Sequence, residues 1–301
     1  MKILVLMSTF NGEKYLEAQL DSIKDQIIDS KVEILVRDDG STDGTINILK
    51  NYEKKMNMSW YQGENLGAAH SFMDLIEKCG EYDYYAFCDQ DDYWLPGKLQ
   101  RAQSHIACIG EPVLYCSNAK VVDSSLHQVG RNVYRGVPIL EVKSLTVIGG
   151  LLGCTMFMNK EMIHLIKKHQ NQKKVIMHDF YIAQLCALVG GKIIYDSEPT
   201  LLYRQHGNNE VGVSYNLLAK IKDRVCTITK QVKVSIADQS GELADLYGDY
   251  ICMENLVWLK KVSNYRENFL SRCKLAFSKD IHCANLNQAI TLRLAVLLGN
   301  R

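Results

Sequence analysis

Three carboxylates, Asp89, Asp91 and Asp92, stand within four positions in the segment FCDQDDYWLP at 87–96. Holding like charges this close costs energy unless a positive group is bound among them. Carboxylates suit hard divalent cations, chiefly Mg2+ or Mn2+. Mg2+ is usually held by one or two carboxylates together with substrate phosphates. An Asp-x-Asp at a strand end offers such a partial shell, with positions left open for a diphosphate. The plainer alternative is a solvated acidic turn ahead of the helix that begins near Pro96.

Four further clusters carry types suited to chemistry. In VRDDGSTDGT (36–45) a strand runs into two aspartates. Asp39 could accept hydrogen bonds from the N–H groups of a pyrimidine base, or cap the next helix. In STFNGEKYL (8–16), Thr9, Asn11 and Glu13 could hold base and ribose, or cap a helix. In MHDFYIA (177–183), Asp179 opens a helix beside His178. A carboxylate partly withdrawn from water titrates nearer the working range of a general base; a plain helix cap is the competing account. In YRQHGNN (203–209), the forked donors of Arg204 suit a diphosphate. His206 could ligate a metal or donate to phosphate, or be a turn histidine bonded to backbone.

These clusters must be positioned by something. KILVLM (2–7), VEILVR (32–37), Met58–Tyr61 and YDYYAFC (82–88) read as strands. Between them, Glu13 to Ile27, TINILKNYEKK and Ala68–Cys79 have helical spacing, with Thr42 or Asp43 as a cap for the second. The alternation predicts an α/β domain with a parallel sheet. Ligands in such sheets bind at the carboxyl ends of strands, where the first three polar clusters fall. A helix is predicted at 98–109, short strands near 113–117 and 119–123, and a loop to about 144. GGLLGCTMFMNK (149–160) reads as a turn and strand into a helix. HDFYIAQLCALVG (178–190) reads as a helix, and 192–209 as two strands ending in a polar turn. The division predicted is a catalytic domain over 1–215, with halves 1–110 and 111–215, followed by a mainly helical region over 216–301.

Composition bounds the rest. Apolar residues make up 47% of 301 residues, enough for a sizeable core, and the net charge of +1 gives no general case for nucleic acid. Residues 216–301 carry +5, however, in stretches that mix basic and apolar residues at helical spacing. They could lean on the inner face of a membrane, cover the catalytic domain, or form a homodimer. The ten cysteines form no CxxC pair, which points to free thiols in a reducing cytoplasm rather than zinc. The first residues read as a strand rather than a signal peptide, and no run has the length of a membrane span.

Taken in order, STFNGEKYL, VRDDGSTDGT, NLGAAHSF, FCDQDDYWLPGKL, GGLLGCTMFMNK and MHDFYIAQLC resemble the family 2 glycosyltransferases over about residues 1–210. CDQDDYW with YRQHGNN is most similar to the rhamnosyltransferase-like branch, whose members build bacterial cell-surface polysaccharides. The resemblance implies a GT-A fold and an inverting transfer from a nucleotide-diphospho-sugar, with dTDP-rhamnose as the first donor to test. The acceptor implied is a saccharide or lipid-linked saccharide. It implies nucleotide contacts at Thr9, Asn11, Glu13 and Asp39, a divalent metal on Asp89 and Asp91 with Asp92 as an extra carboxylate, and Asp179 as base. Trp94 and the GGLLGC segment, including Gly150, are expected on the acceptor side with His178. A nucleotidyltransferase would want a Gly- and Arg/Lys-rich loop after the first strand, which STFNGEKYL is not. A non-catalytic sugar-binding relative would have a broken acidic cluster or lack the acid at 179.

Overall fold

The computed structural model describes residues 1–170, 172–206 and 232–301. The predicted polar turn at 207–209, the domain boundary at 215 and the predicted helical stretch to 231 lie outside the described residues.

The first ninety residues alternate as expected: β1 Lys2–Thr9, α1 Leu16–Lys24, β2 Lys31–Asp38, α2 Thr45–Tyr52, β3 Met58–Gln62, α3 Gly67–Lys78 and β4 Tyr84–Asp89. Alternation along a strand sends successive side chains to opposite faces. Ile3, Val5 and Met7 of β1 accordingly pack with Leu16, Leu20 and Leu49 on one face of the sheet. Leu4 and Leu6 pack with Phe72, Leu75 and Ile76 of α3 on the other. Strands buried on both sides read as unbroken apolar runs, which is why these were legible.

The second half is less regular. It contains β5 Tyr93–Trp94, α4 Lys98–Ile106, β6 Val113–Val122, β7 Gln128–Asn132, α5 Val142–Ile148, β8 Phe157–Asn159, α6 Lys160–Lys167, α7 His178–Leu188 and β9 Lys192–Arg204. Three predictions change. The two strands expected near 113–123 are one, β6, whose pairing with β9 shifts register around Asn118. The two strands expected over 192–209 are the single β9. The loop expected to about 144 contains the edge strand β7 and the start of α5.

The sheet runs β3-β2-β1-β4-β8-β6-β9-β5, with β7 on β6. β1 to β4 are mutually parallel, β6 is parallel to β9, and β8 and β5 run against their neighbours. The order reverses between β1 and β4, because β2 and β3 lie on one side of β1 and everything later on the other. In open α/β sheets, ligands bind in the crevice outside the strand ends at such a reversal. Register fixes what arrives there: Ser8 pairs with Asp89, and Thr9 pairs with Asp38.

Among the described residues after β9, four α-helices follow: α8 Ile236–Tyr247, α9 Met253–Ser263, α10 Phe269–Ala276 and α11 Leu286–Leu298. Ser235 and Asp238 form a reciprocal capping box at the start of α8. Leu243, Tyr247 and Leu259 join the core beneath the sheet. A third core gathers Trp258, Val262, Tyr265, Leu275 and Val296 against Val147 and Phe180. Phe180 is the residue after Asp179, so the C-terminal helices buttress the turn that carries it. Among the described residues, no helix is long and apolar enough to cross a membrane.

Candidate active site

Two loops must be pinned before the crevice has a shape. Asn11 sits at φ 48°, which turns the chain sharply out of β1. Its Oδ1 accepts from the Thr42 N–H at 2.9 Å, and the Glu13 carboxylate accepts from the Gly44 N–H at 2.9 Å. The N-cap of α2 is Gly44, with no side-chain cap, so neither Thr42 nor Asp43 holds that position; Asp43, one residue earlier, accepts from both the N–H and the hydroxyl of Thr45. Asn11 and Glu13, predicted against a nucleotide, thus tie the β1 loop to the β2 loop. Thr9 is 1% exposed and donates its hydroxyl to Asp38 at 3.1 Å. The β1 loop is also held to the β4 loop, by Gln90, which accepts from the Phe10 N–H and donates to the Phe10 carbonyl.

Asp38 and Asp39 divide the labour of the DDGS turn. Asp38 accepts from the Gly40 and Ser41 N–H groups and the Gln62 amide, which folds the turn. Asp39 accepts from the Leu66 and Gly67 N–H groups at 2.8 and 2.9 Å and pairs with the buried Arg37 guanidinium. Arg37 also pairs with Asp74. Asp39 is therefore aimed and charge-balanced, with its surface on the cleft.

That cleft has a volume of about 360 Å³, and Asp39, Asp89, Asp91, Gly153, His178 and Asp179 line it. The Asp91 carboxylate lies 2.7 Å from His206 Nε2. The His206 ring stacks on Tyr15 at 4.9 Å, and Arg204 lies over the same Tyr15 ring at 4.4 Å. Arg204, predicted to meet the diphosphate, is 3% exposed and donates to the Asp91 and Ser124 carbonyls at 2.7 and 2.5 Å. It braces the acidic loop and is not on the cleft wall.

Asp92 turns the other way. It is 1% exposed, one oxygen accepts from the Arg204 N–H, and the carboxylate is buried beside the Cys154 thiol. Burial, reinforced by the charge of Asp91, pushes its carboxyl up to about 8. Ligand atoms of Asp89, Asp92 and Cys154 lie within 4.8 Å of one another. Beside them Lys98 is fully enclosed; burial lowers its ammonium to about 8, against the favourable pull of these groups.

Asp179 opens α7. Its Oδ2 accepts from the Gly153 N–H at 3.1 Å and its Oδ1 from the Phe180 N–H at 2.6 Å. His178 is 3% exposed, stacked on Phe72 at 4.0 Å, with both ring nitrogens buried and lacking hydrogen-bond partners. Burial drives its imidazolium down to about 3, so the ring is neutral. Two acceptor-side expectations are corrected. Trp94 is 1% exposed in the core below β5, because the β5–β9 pairing turns its ring inward. Gly150 is exposed at φ 114° and lies off the wall, which Leu152 and Gly153 form instead. Sequence reasoning also missed Arg37, Gln90 and Tyr15. Arg37 carried one signal: a basic residue in an apolar strand immediately before two acids.

A model of the family described as Glycosyl transferase family 2 matches residues 4–166. Over 252 residues the chain is 30% identical to dTDP-rhamnosyl transferase RfbG of Shigella flexneri, spanning 79% of this chain and 85% of that protein. The crystal structure of S. aureus TarS in complex with UDP-GlcNAc is similar with a TM-score of 0.54 at 16% identity, over 97% of this chain and 90% of that one. The mannosyltransferase PcManGT from Pyrobaculum calidifontis, in complex with GDP-Man and Mn2+, is similar with a TM-score of 0.50 at 14% identity, over 99% and 85%. These structural likenesses speak for the fold, a GT-A α/β sandwich with C-terminal helices. The family match over more than half of the chain, with the similarity along most of it, makes this protein a glycosyltransferase belonging to family 2.

Proposed function

We propose that this enzyme is a metal-dependent, inverting glycosyltransferase. It moves a sugar, with rhamnose from dTDP-rhamnose as the leading donor, to a growing bacterial cell-surface polysaccharide or a lipid-linked acceptor. The observation that carries this reading is the meeting of Asp39, Asp89, Asp91 and Asp179 on one cleft wall, although they come from three distant segments. The similarity to RfbG supports the choice of donor.

The donor atoms present fit a divalent cation. Asp89 and Asp91 face the cleft, His206 lies beside Asp91, and the buried Asp92 carboxylate stands behind with the Cys154 thiol. Asp89 would hold the ion together with Asp91 or Asp92: the compact donor group among the described residues is Asp89, Asp92 and Cys154, within 4.8 Å of one another, while the Asp91 carboxylate meets His206, the further candidate ligand. An ion held there would offset charge developing on a leaving diphosphate. Asp39, fixed by two backbone N–H groups and Arg37, accepts hydrogen bonds from the base. Asp179 takes the proton of the acceptor hydroxyl as that oxygen attacks the anomeric carbon. The Gly153 N–H orients the carboxylate, and neutral His178 fixes the turn beneath it on the acceptor side. A single displacement inverts the anomeric centre, so no side chain becomes bonded to the sugar.

The test is transfer from dTDP-rhamnose to a rhamnan or lipid-linked oligosaccharide, with the product linkage read by NMR. An inverted linkage whose formation stops on chelation supports the reading. A retained configuration, or transfer indifferent to chelation, refutes it.

A further inference from the structure

The last helix is apolar on two faces, and only one of them is used. Leu292, Ala295 and Val296 of α11 are buried in the third core. Leu286, Ile290, Leu294 and Leu298 recur every four residues and are exposed by 73%, 47%, 43% and 55%. A spacing of four keeps them on one helical face, since residues four apart are neighbours. The neighbouring helix α10 and its C-cap Phe277 also expose large apolar side chains. Phe269, Leu270 and Phe277 are 69%, 64% and 59% exposed, and the Arg293 guanidinium lies 5.8 Å from the Phe277 ring. An exposed apolar stripe of this kind marks an interaction surface.

Charge selects the partner. Residues 269–301 hold five basic residues against the single acid Asp280. Lys274, Lys279 and Arg293 are exposed. A symmetric pairing of two copies through this stripe would place the same positive patch against itself. An anionic surface converts the same charge into attraction. No described helix can span a bilayer, so contact would be along the surface.

We propose that the outer face of α11, with the exposed edge of α10, docks on an anionic lipid bilayer. This goes beyond the proposed reaction and does not rest on it. The stripe enters the interface between headgroups and acyl chains, while Lys274, Lys279 and Arg293 meet lipid phosphates.

The test is co-sedimentation of the full chain with vesicles of phosphatidylcholine, alone or mixed with phosphatidylglycerol. Wild type is expected to pellet with the mixed vesicles and to be released by salt. The double variant Ile290→Ser/Leu294→Ser and the double variant Lys274→Glu/Arg293→Glu are each expected to partition about tenfold more weakly. Both change exposed side chains, so their unfolding temperatures and nucleotide binding should match wild type. Wild type left in the supernatant with mixed vesicles at low salt overturns the proposal, as does undiminished binding by both variants. A wild-type dimer that Ile290→Ser/Leu294→Ser renders monomeric also overturns it, since the stripe would then be covered by a second copy.

Discussion

Gly153 donates its backbone N–H to Asp179 Oδ2 at 3.1 Å, and the same residue abuts His178 so closely that a Cβ there would lie 2.6 Å from Nε2. The wall that orients the proposed base therefore requires glycine for space. Gly153→Ala must push the His178 ring or the turn carrying Asp179. Misplacing a reacting group by about 1 Å costs roughly 100-fold in rate. We expect the turnover of Gly153→Ala to fall by about that factor while donor affinity changes little. Equal losses in both would mean that the glycine merely supports the fold.

His178 gives a pH signature. Its folded-state value is lowered to about 3 by burial. The unfolded chain takes up the proton near pH 6.5, and the folded chain refuses it down to about pH 3, so stability is lost as pH falls through that window. The slope from this group reaches up to about 1.4 kcal/mol per pH unit. Denaturant unfolding at pH 7, 6 and 5 should show a shallower acid loss in His178→Asn than in wild type. Identical slopes would place a partner on the ring.

Arg37 is the second positioning element. It is almost fully buried between Asp39 and Asp74. Removing one member of a buried ion pair costs about 3 to 5 kcal/mol, because the surviving charges are stranded. Arg37→Met should lose about that much in urea unfolding and bind nucleotide more weakly, since Asp39 is no longer aimed. A variant as stable as wild type would contradict the assignment.

The C-terminal helices should act on the site through Phe180. Trp258 is 4% exposed in the core that Phe180 shares. Trp258→Ala should cost about 3 to 5 kcal/mol. Turnover should fall more than donor affinity, as the turn at Asp179 loosens. Unaltered turnover at a temperature where the variant stays folded would uncouple the helices from the site.

The parts legible in the sequence share a physical cause. β1, β2 and β4 are buried on both faces, so burial wrote itself as apolar runs, and the polar residues after each run had to reach the strand ends. The acids of FCDQDDYW were visible for the same reason. Their division was not: Asp91 faces the cleft and Asp92 the core because Arg204, 112 positions away from Asp92, supplies a backbone N–H to it. Trp94 was misplaced because its burial depends on pairing with β9, a contact no local pattern records. The edge strand β7, QVGRN, escaped detection because it is polar, exposed and contains glycine. Thr9, Asn11 and Glu13, expected against a nucleotide, bond in the structure to the β2 segment.

The most direct measurement compares Asp179→Asn with wild type for sugar transfer and for nucleotide-sugar binding in the same preparation with Mn2+. Removing a general base typically costs about 100- to 10,000-fold. Turnover should fall by a factor in that range with donor affinity preserved. Transfer by Asp179→Asn at near wild-type rate would contradict it.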